Sequence, residues 1–422
     1  MKKGCRFWAI LISMIVCCSL TGCGGEGKDS RKTLVFWHSW GGSVEKTGLE
    51  AMVKAYNDSQ STYFVKAQYI ADMESKMQTA IKGNNAPDVV AFDRFQVISW
   101  ASEGLLKDLT SMAEQADIHK EAFYEYTWNE SVYNGKLYSI PFTCDDRMLV
   151  WNKKMFSDAG LDPEMPPKTV AELDEMAEKL TSQKDGRIDT MGFIPWTGAG
   201  GVVTFGFAFG GEFYDTETKT ITANDPAVVR ALTWMTQYAD RYGIDAMDSF
   251  SMAISSDIDA FAAQKQAICI AGSWSVAQYA TVENLDYGVA PIPNETGENS
   301  ITWGGGYGMI IPFNADDKNT EGAFDFIRFC TMDEGSTIFG EQGGWFICNI
   351  ERNKSIDWNK DPHMKPFLEA LTSGKSRPQI PVNEYYMNQL NNALDKALHK
   401  KGTPEELLNE VVERVNYRLN RN

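Results

Sequence analysis

The chain has 422 residues with 40 basic and 57 acidic side chains, a net charge of −17 at pH 7. This length is enough for two or three domains, each with its own core. The acidic excess disfavours nucleic acid and anionic lipid as partners. It also disfavours a highly anionic ligand, unless a local basic pocket overrides the net charge.

Residues 1–22 have the pattern of a bacterial lipoprotein signal. Three basic residues precede an apolar run over 7–20, which is too short to cross a bilayer as a helix. Small residues then lead to Cys23, so we expect cleavage before Cys23 and its lipidation as a thioether. The alternative is a plain secretory signal with an incidental cysteine. Residues 23–32 show no apolar periodicity and are predicted to form a flexible tether.

Without the signal, the chain has 37 basic and 57 acidic residues, a net charge of −20. Four cysteines follow Cys23, and they show no metal-ligand spacing: Cys144, Cys269, Cys330 and Cys348. We interpret them mainly as small apolar side chains and leave one or two disulfides open. The histidines show no ligand spacing either (His38, His119, His363 and His399). We therefore expect neither a metal site nor a cofactor.

Strand-like and helix-like segments alternate in the first hundred residues. Predicted strands cover 33–37, 63–69 and 87–92, and apolar residues at helical spacing mark helices through 49–56 and 73–81. This alternation predicts βαβ units and a largely parallel sheet. Ligands of such sheets bind beyond the carboxyl ends of the strands. Two stretches qualify here, Trp37-His38-Ser39-Trp40 and Asp93-Arg94-Phe95.

The stretch over 133–173 carries the most specific pattern of the chain. Asn134-Gly135 is a tight-turn dipeptide between strand-like residues, and Pro141 ends or edges the second of these strands. Asp145, Asp146 and Arg147 then come directly before an apolar strand over 148–151. Charges in such a place are costly unless they pair with each other or with a polar ligand.

The remaining elements follow the same alternation. A capping box at Thr169 and Glu172 starts one helix, Asp225-Pro226 starts another, and a second capping box at 403–406 starts the last one. Buried-type strands are predicted over 267–271, 287–293 and 308–312, the last two flanking a glycine-rich loop.

The 133–173 stretch resembles the extracellular sugar-binding proteins of ABC importers, bacterial solute-binding family 1, which are maltose-binding protein relatives. FDRF at 92–95, AGSW at 271–274 and the final TPEELL helix agree with this resemblance. It implies an α/β, two-lobed periplasmic-binding-protein-like fold with a ligand cleft between the lobes. The implied lobes are discontinuous: 33–142 plus 300–345 for the first, and 143–299 plus 346–422 for the second.

A sugar site needs aromatic rings for the C–H face of the sugar and charged or amide groups for its hydroxyls. The resemblance implies this role for Asp93, Arg94, Asp145 and Trp274. The alternatives are a helix N-cap for Asp93, an ion pair or a bridge between lobes for Arg94, and core packing for Trp274. Arg147 shares the face of Asp145, so it either braces that carboxylate or reaches the ligand.

Further residues are expected to line the cleft on weaker grounds. Trp37 and His38 follow the first strand. Tyr385 and Tyr386 lie where relatives place one stacking ring, so one of these two is expected to face the cleft. The others lie near glycine-rich loops: Trp196, Trp303, Gly305, Tyr307 and Trp345. For Gly305 the expected role is a close backbone approach to the ligand, and the alternative is a hinge where the chain crosses between lobes.

We therefore predict a lipid-anchored, extracytoplasmic, monomeric carbohydrate-binding protein that delivers its ligand to ABC importer permease subunits. The membrane partner would be reached through Cys23. The sequence contains no GxSxG, HExxH or GxxxxGK[ST] motif, so we predict no enzymatic activity. Two alternatives stay open: a secreted glycosidase that pairs Asp93 with Asp145, and a binding protein for a polyol or glycerol-phosphate.

Overall fold

The computed structural model of the protein describes residues 30–254 and 258–421. The predicted signal over 1–22, Cys23 and the tether up to residue 29 lie outside the described residues. The strands are β1 Lys32–His38, β2 Tyr63–Tyr69, β3 Val89–Asp93, β4 Val132–Tyr133, β5 Lys136–Leu137, β6 Ile140–Pro141, β7 Thr143–Cys144, β8 Arg147–Asn152, β9 Ser182–Lys184, β10 Arg187–Thr190, β11 Tyr214–Asp215, β12 Thr220–Ile221, β13 Ile268–Gly272, β14 Tyr287–Ala290, β15 Tyr307–Ile310 and β16 Phe346–Ile347.

Helices alternate with these strands along most of the chain. They are α1 Ser43–Ser59, α2 Met73–Lys82, α3 Arg94–Ser102, α4 Thr110–Gln115, α5 Glu125–Asn129, α6 Lys153–Asp158, α7 Val170–Leu180, α8 Val202–Ala208, α9 Pro226–Tyr242, α10 Ile244–Met252, α11 Ser275–Tyr279, α12 Thr320–Thr331, α13 Glu334–Gly343, α14 Ile350–Ser355, α15 Met364–Ala370, α16 Asn383–Leu398 and α17 Pro404–Leu419. Short 3₁₀ turns cover Lys120–Ala122, Asp317–Asn319 and Trp358–Lys360.

The helix starts follow the capping chemistry of the sequence. In α7 the Thr169 hydroxyl accepts from the Glu172 N–H while the Glu172 carboxylate accepts from the Thr169 N–H, and α17 repeats this box with Thr403 and Glu406. Asp225 caps α9 by accepting from Ala227 N–H. These predicted helix starts are confirmed.

A five-stranded sheet, in the order β2-β1-β3-β15-β6, forms the centre of the first half of the molecule. β1 is parallel to β2 and β3, as the βαβ pattern predicts, and β15 is antiparallel to both β3 and β6. The second sheet, β13-β8-β14, is antiparallel throughout. The βαβ prediction was drawn from the first hundred residues and did not cover this second sheet, in which β13 and β14 both run opposite to the central β8.

Both sheets are buried on both faces. In the first sheet, Val89 and Ala91 belong to one apolar cluster and Val90 and Phe92 to another. In the second sheet, Leu149 belongs to one apolar cluster and Val150 to another. Because successive side chains of a strand point to opposite faces, each sheet lies between two helical layers, which explains why these strands are continuously apolar.

Two of the places where the chain crosses between the halves of the molecule built on the two sheets lie side by side. The first crossing runs from β6 through β7 into β8, and the second runs from β14 into β15. The two crossings are tied together by main-chain hydrogen bonds between Asp145 and Gly305, in both directions, with N···O distances of 3.3 and 3.1 Å. This junction holds the cleft described below.

The buried side chains bear on the predicted lobe boundaries. The implied second lobe includes 346–371, but Phe346, Trp358, Phe367 and Leu371 belong to the apolar cluster that packs on β1 and β3. Buried residues from Ile380 onward belong to the cluster of the second sheet. The division into lobes remains a prediction, and we propose that its last boundary lies between 371 and 380.

Over residues 30–254 and 258–421, every helix is either too short or too polar to qualify as a membrane span.

Candidate functional site

A cavity of about 460 Å³ opens where the two crossings meet. The residues that line it come from the β1–α1 loop, the first turn of α1, the first crossing, the start of α11, the second crossing and the loop after α13: Ser39, Trp40, Gly41, Gly42, Glu45, Asp145, Arg147, Trp274, Gly306, Tyr307 and Trp345. Predicted ligand residues in this set are Asp145, Arg147, Trp274, Tyr307 and Trp345. We call this space the cleft cavity.

The charged part of the cleft cavity is the pair of Asp145 and Arg147. Both side chains are largely buried, with 6 and 9% exposure, and Arg147 Nη1 donates to Asp145 Oδ1. The Arg147 guanidinium also lies 3.4 Å from the ring centroid of Trp303 and 5.1 Å from that of Trp274. Arg147 thus braces the Asp145 carboxylate and reaches the cavity at the same time, which joins the two roles that the sequence left as alternatives.

Aromatic rings form the apolar part of the cleft cavity. Trp274 and Trp345 are nearly parallel, with 15° between their planes and 6.3 Å between centroids. Tyr307 meets both Trp345 and Trp40 edge-on, at 6.0 and 5.0 Å. Because indole rings offer flat faces to C–H groups, these four rings can hold the apolar face of a cyclic ligand.

The β1–α1 loop adds polar groups to these rings. The Ser39 hydroxyl donates to the Tyr307 hydroxyl at 3.3 Å, and burial raises the pKa of Tyr307 to about 12, so this phenol is neutral at physiological pH. Burial also raises the pKa of Glu45, while a hydrogen bond from the Gly42 backbone opposes the shift.

Asp93 lies beside the cleft cavity and is not among its lining residues. It caps α3, since its Oδ1 accepts from Phe95 N–H at 2.9 Å, which was the alternative role considered for it. Its side chain is 41% exposed and lies 3.7 Å from Arg377 Nη2. A ligand role for Asp93 stays a prediction.

Arg377 and Trp303 connect Asp93 to the pair of Asp145 and Arg147. The Arg377 guanidinium lies 4.6 Å from the Trp303 ring centroid and 3.9 Å from that of Phe95. Trp303 therefore lies against two guanidinium groups, and its own Nε1 donates to Thr204. Trp303 supports the wall of the cavity without lining it.

Arg94 has the alternative role considered for it, an ion pair, and it is not among the residues that line the cleft cavity. Its side chain has no exposed surface, and its Nε donates to the equally buried Glu130 at 2.9 Å. Its Nη1 donates to the carbonyls of Thr143 and Tyr307, and its Nη2 donates to the carbonyl of Gly305, all in the two crossings. Arg94 holds the crossings together, and a buried cation needs all of these partners.

Gly305 also has a structural place. Its N–H donates to the Asp145 carbonyl, so it is not available to a ligand, and the next residue, Gly306, lines the cavity instead. The hinge alternative for Gly305 agrees with its position at the junction of the crossings. Beside it, burial raises the pKa of Asp146 well above the usual carboxyl range, and Asp145 adds to this shift.

Five other predicted contacts lie away from the cleft cavity. Trp37 donates to Gln68 and packs on the cluster beside α2, while His38 is buried on the opposite face of β1. Trp196 packs against the second-sheet cluster. Tyr385 lies under Arg418, and Tyr386 is fully buried with its hydroxyl bonded to Phe213 O. Both tyrosines follow the helical packing of α16, so neither one faces the cleft.

Trp40 comes two residues after β1, in a stretch that the rule for the carboxyl ends of strands had indicated, but it was not chosen as a ligand residue. Glu45 and Arg377 were missed. Glu45 lies in the first turn of α1 and could have been found in the same way. Arg377 carried no local signal, because it lies in an irregular segment far along the chain.

Among the described residues, no cluster of three or more His, Cys, Asp or Glu side chains could hold a metal ion. The four described cysteines are buried free thiols.

Comparisons with known proteins bear on the fold. A solute-binding protein solved with mannotriose bound, CpMnBP1, is 29% identical, with a TM-score of 0.81 over 91% of this chain and 99% of that one. The Listeria monocytogenes protein Lmo0181, solved with cycloalternan, is 21% identical, with a TM-score of 0.79 over 92 and 99% of the two chains. These structures are two-lobed binding proteins, and this chain shares their fold.

Relatives known by sequence include the sn-glycerol-3-phosphate-binding periplasmic protein UgpB of Escherichia coli K12, which is 24% identical over 92% of this chain and 93% of that protein. The family model described as bacterial extracellular solute-binding protein matches residues 51–366. The resemblance first seen in the 133–173 stretch thus extends over most of the molecule, and the chain belongs to the bacterial extracellular solute-binding protein family.

Proposed function

We propose that this protein captures a neutral carbohydrate in the cleft cavity and delivers it to the permease subunits of an ABC importer. The observation that carries the proposal is the composition of the cavity, which is lined by four aromatic rings and by a paired carboxylate and guanidinium. Rings that stack on C–H groups and ions that bond hydroxyls are the two requirements of a sugar site.

The charge of the cavity favours a sugar over a glycerol-phosphate. Its charged lining residues are Glu45, Asp145 and Arg147, and the one guanidinium among them is already paired with Asp145. A phosphate group would meet two carboxylates and a neutralised cation, which is unfavourable in a partly buried site. Although the chain is similar to UgpB, the residues that line this cavity therefore do not form an evident anion site.

Two carboxylates in one cavity are also what a glycoside hydrolase needs, and burial raises the pKa of Glu45. We nevertheless propose binding without hydrolysis, because the relatives named above are binding proteins. Prolonged incubation with the bound oligosaccharide, followed by an assay for reducing ends, tests this point. Release of new reducing ends would establish a glycosidase instead.

Cleft closure is the mechanism that the two-lobed fold supports. Trp274 belongs to the second-sheet half of the chain, whereas Trp40 and Tyr307 follow or belong to strands of the first sheet. A sugar that contacts both sets at once binds the closed form more tightly than the open form and so shifts the population towards closure. We propose that the permease recognises this closed form, and that the protein acts as a monomer held to the membrane through lipidated Cys23.

Replacement of Trp274 by alanine tests the proposed site. Isothermal titration calorimetry with mannobiose, mannotriose, maltotriose and sn-glycerol 3-phosphate should show binding of at least one sugar and weaker or no binding of the phosphate ester. Trp274→Ala should lower the sugar affinity by about tenfold or more, because one stacked ring is lost. Trp128→Ala is the matched control, since Trp128 is a partly buried indole stacked on Phe123, outside the cavity. Equal affinities in wild type and Trp274→Ala would remove the ring from the site.

A further inference from the structure

A row of rings runs along one face of β1 and ends at the cleft cavity. Phe36 and His38 are two residues apart on the strand, so their side chains share a face, and Trp40 continues the row in the loop. The His38 ring centroid lies 5.8 Å from that of Phe36 and 6.1 Å from that of Trp40. The planes of His38 and Trp40 differ by 17°, so these two rings are nearly parallel. His38 therefore connects the core of the first sheet with an indole that lines the cleft cavity.

The end of the first sheet fixes the position of His38. His38 is the last residue of β1, and its carbonyl accepts from the Ile70 N–H at 2.8 Å. The residue is 5% exposed, and the ring of Tyr69, the last residue of β2, lies 6.1 Å from the imidazole. A side chain held in this way is a fixed support for the loop that follows β1.

A hydrogen bond joins the imidazole to the main chain of Trp40. This bond acts to raise the pKa of His38, which is the effect of donation to a carbonyl oxygen. Burial outweighs it and lowers the pKa to about 4, so the imidazole is neutral at physiological pH and carries one N–H. Its Nδ1 has no hydrogen-bond partner among the described residues. An apolar side chain would avoid the cost of this buried nitrogen, so stability alone does not explain a histidine here.

The indole of Trp40 is not held by a hydrogen bond of its own. Its Nε1 is buried and has no partner within the described part of the chain. The rings of Tyr307, Phe142 and Phe339 pack against it at interplanar angles of 62, 68 and 46°. His38 lies nearly parallel to the indole, on which it also acts through the main-chain bond. The orientation of Trp40 therefore depends on His38 more directly than on any polar contact of the indole.

From these observations we propose that His38 is a positioning residue for sugar capture. It holds the Trp40 indole and the main chain that leads into Gly41 and Gly42, which also line the cleft cavity, and it does not touch the ligand itself. This inference rests on the proposed function. It assigns the shape of the β1–α1 side of the cavity to a side chain that lies outside the cavity.

A double-mutant cycle tests this role, by calorimetry at neutral pH with mannobiose, mannotriose and maltotriose as probes. His38→Leu removes the parallel ring and its hydrogen bond and should lower the sugar affinity by about fivefold or more. Trp40→Leu removes the indole itself. In the Trp40→Leu background, the further change His38→Leu should alter the affinity by less than about twofold, because the residue through which His38 acts is gone. A merely structural loss would lower the affinity equally in both backgrounds.

Trp37→Leu is the matched control. Trp37 precedes His38 on β1, packs on the other face and donates to Gln68, so its loss should lower Tm while the sugar affinity stays within about twofold of the wild type. If His38→Leu does not fold, His38→Gln takes its place and should change the affinity in the same direction. If the affinity of Trp40→Leu is too low to measure, Trp40→Phe replaces it, and the effect of His38→Leu should again be smaller than in the wild type.

Two results would overturn the inference while leaving sugar binding intact. One is an unchanged affinity in a folded His38 variant, and the other is an equal loss of affinity with and without the Trp40 indole. If none of the three sugars binds to the wild type, the proposed function fails, and the role of His38 fails with it.

Discussion

Replacement of Glu130 by glutamine is the most direct test of the structural role assigned to Arg94. The change keeps the shape of the side chain but removes the charge that lies 2.9 Å from Arg94 Nε. Both side chains have no exposed surface, so water cannot replace the lost partner. A buried cation left without its counter-charge typically destabilises a protein by about 3–5 kcal/mol.

The remaining bonds of Arg94 determine where this loss acts. Its guanidinium still donates to carbonyls of Thr143, Gly305 and Tyr307, so it stays charged and keeps the crossings joined. With an unfolding entropy of roughly 2.1 cal/mol/K per residue, a loss of this size lowers Tm by about 4–6 °C if both halves unfold together. Thermal unfolding followed by circular dichroism measures this shift.

A surface pair provides the control for Glu130→Gln. Glu50 lies 3.8 Å from Lys46 and is 67% exposed, so Glu50→Gln should change stability by about 0.5 kcal/mol or less. Sugar affinity should stay within about twofold of the wild type in both variants, because neither residue lines the cleft cavity. A Tm within about 1 °C of the wild type in Glu130→Gln, or a loss of affinity without a loss of stability, would refute the structural role of the Arg94 pair.

Three further predictions address stability, the site and the anchor. Burial lowers the pKa of His38 from 6.5 to about 4. Between these two pH values the unfolded chain binds more protons than the folded chain, so the stability of the fold falls as the pH decreases through this window. Between pH 7 and 4.5 the wild type should lose about 2–3 kcal/mol that His38→Phe does not lose, and an equal pH dependence of Tm in the two proteins would contradict this. Asp145→Asn should weaken sugar binding by about tenfold, since a charged acceptor beside Arg147 is lost. The same change should strengthen the binding of sn-glycerol 3-phosphate. If calorimetry shows neither change, Asp145 is not part of the site. Cys23→Ser should move the protein from the membrane fraction to the soluble fraction, and a variant that still sediments with membranes would exclude the anchor.

Local chemistry in the sequence predicted much of the fold and part of the site. Capping boxes, helical spacing and continuous apolar runs depend on neighbours within a few residues, so α7, α17, β1 and β8 could be predicted from short stretches. Asp145 and Arg147 could be found in the same way, because charges placed directly before a buried strand require a partner. The role predicted for Trp274, which follows the strand that ends at Gly272, came from the family resemblance.

Only the tertiary structure decided which of the candidate side chains share a space. Arg94 follows a buried strand just as Trp274 does, yet the two crossings surround Arg94 and leave Trp274 at the cavity. Arg377 reaches the site from a segment more than two hundred residues away from Asp145, and the pattern of its neighbours does not indicate this. Sequence patterns report the partners of a residue within one strand or helix, whereas a cleft is formed by segments that meet through chain crossings. The sequence therefore determined the elements and their caps, and the packing of the crossings determined the site.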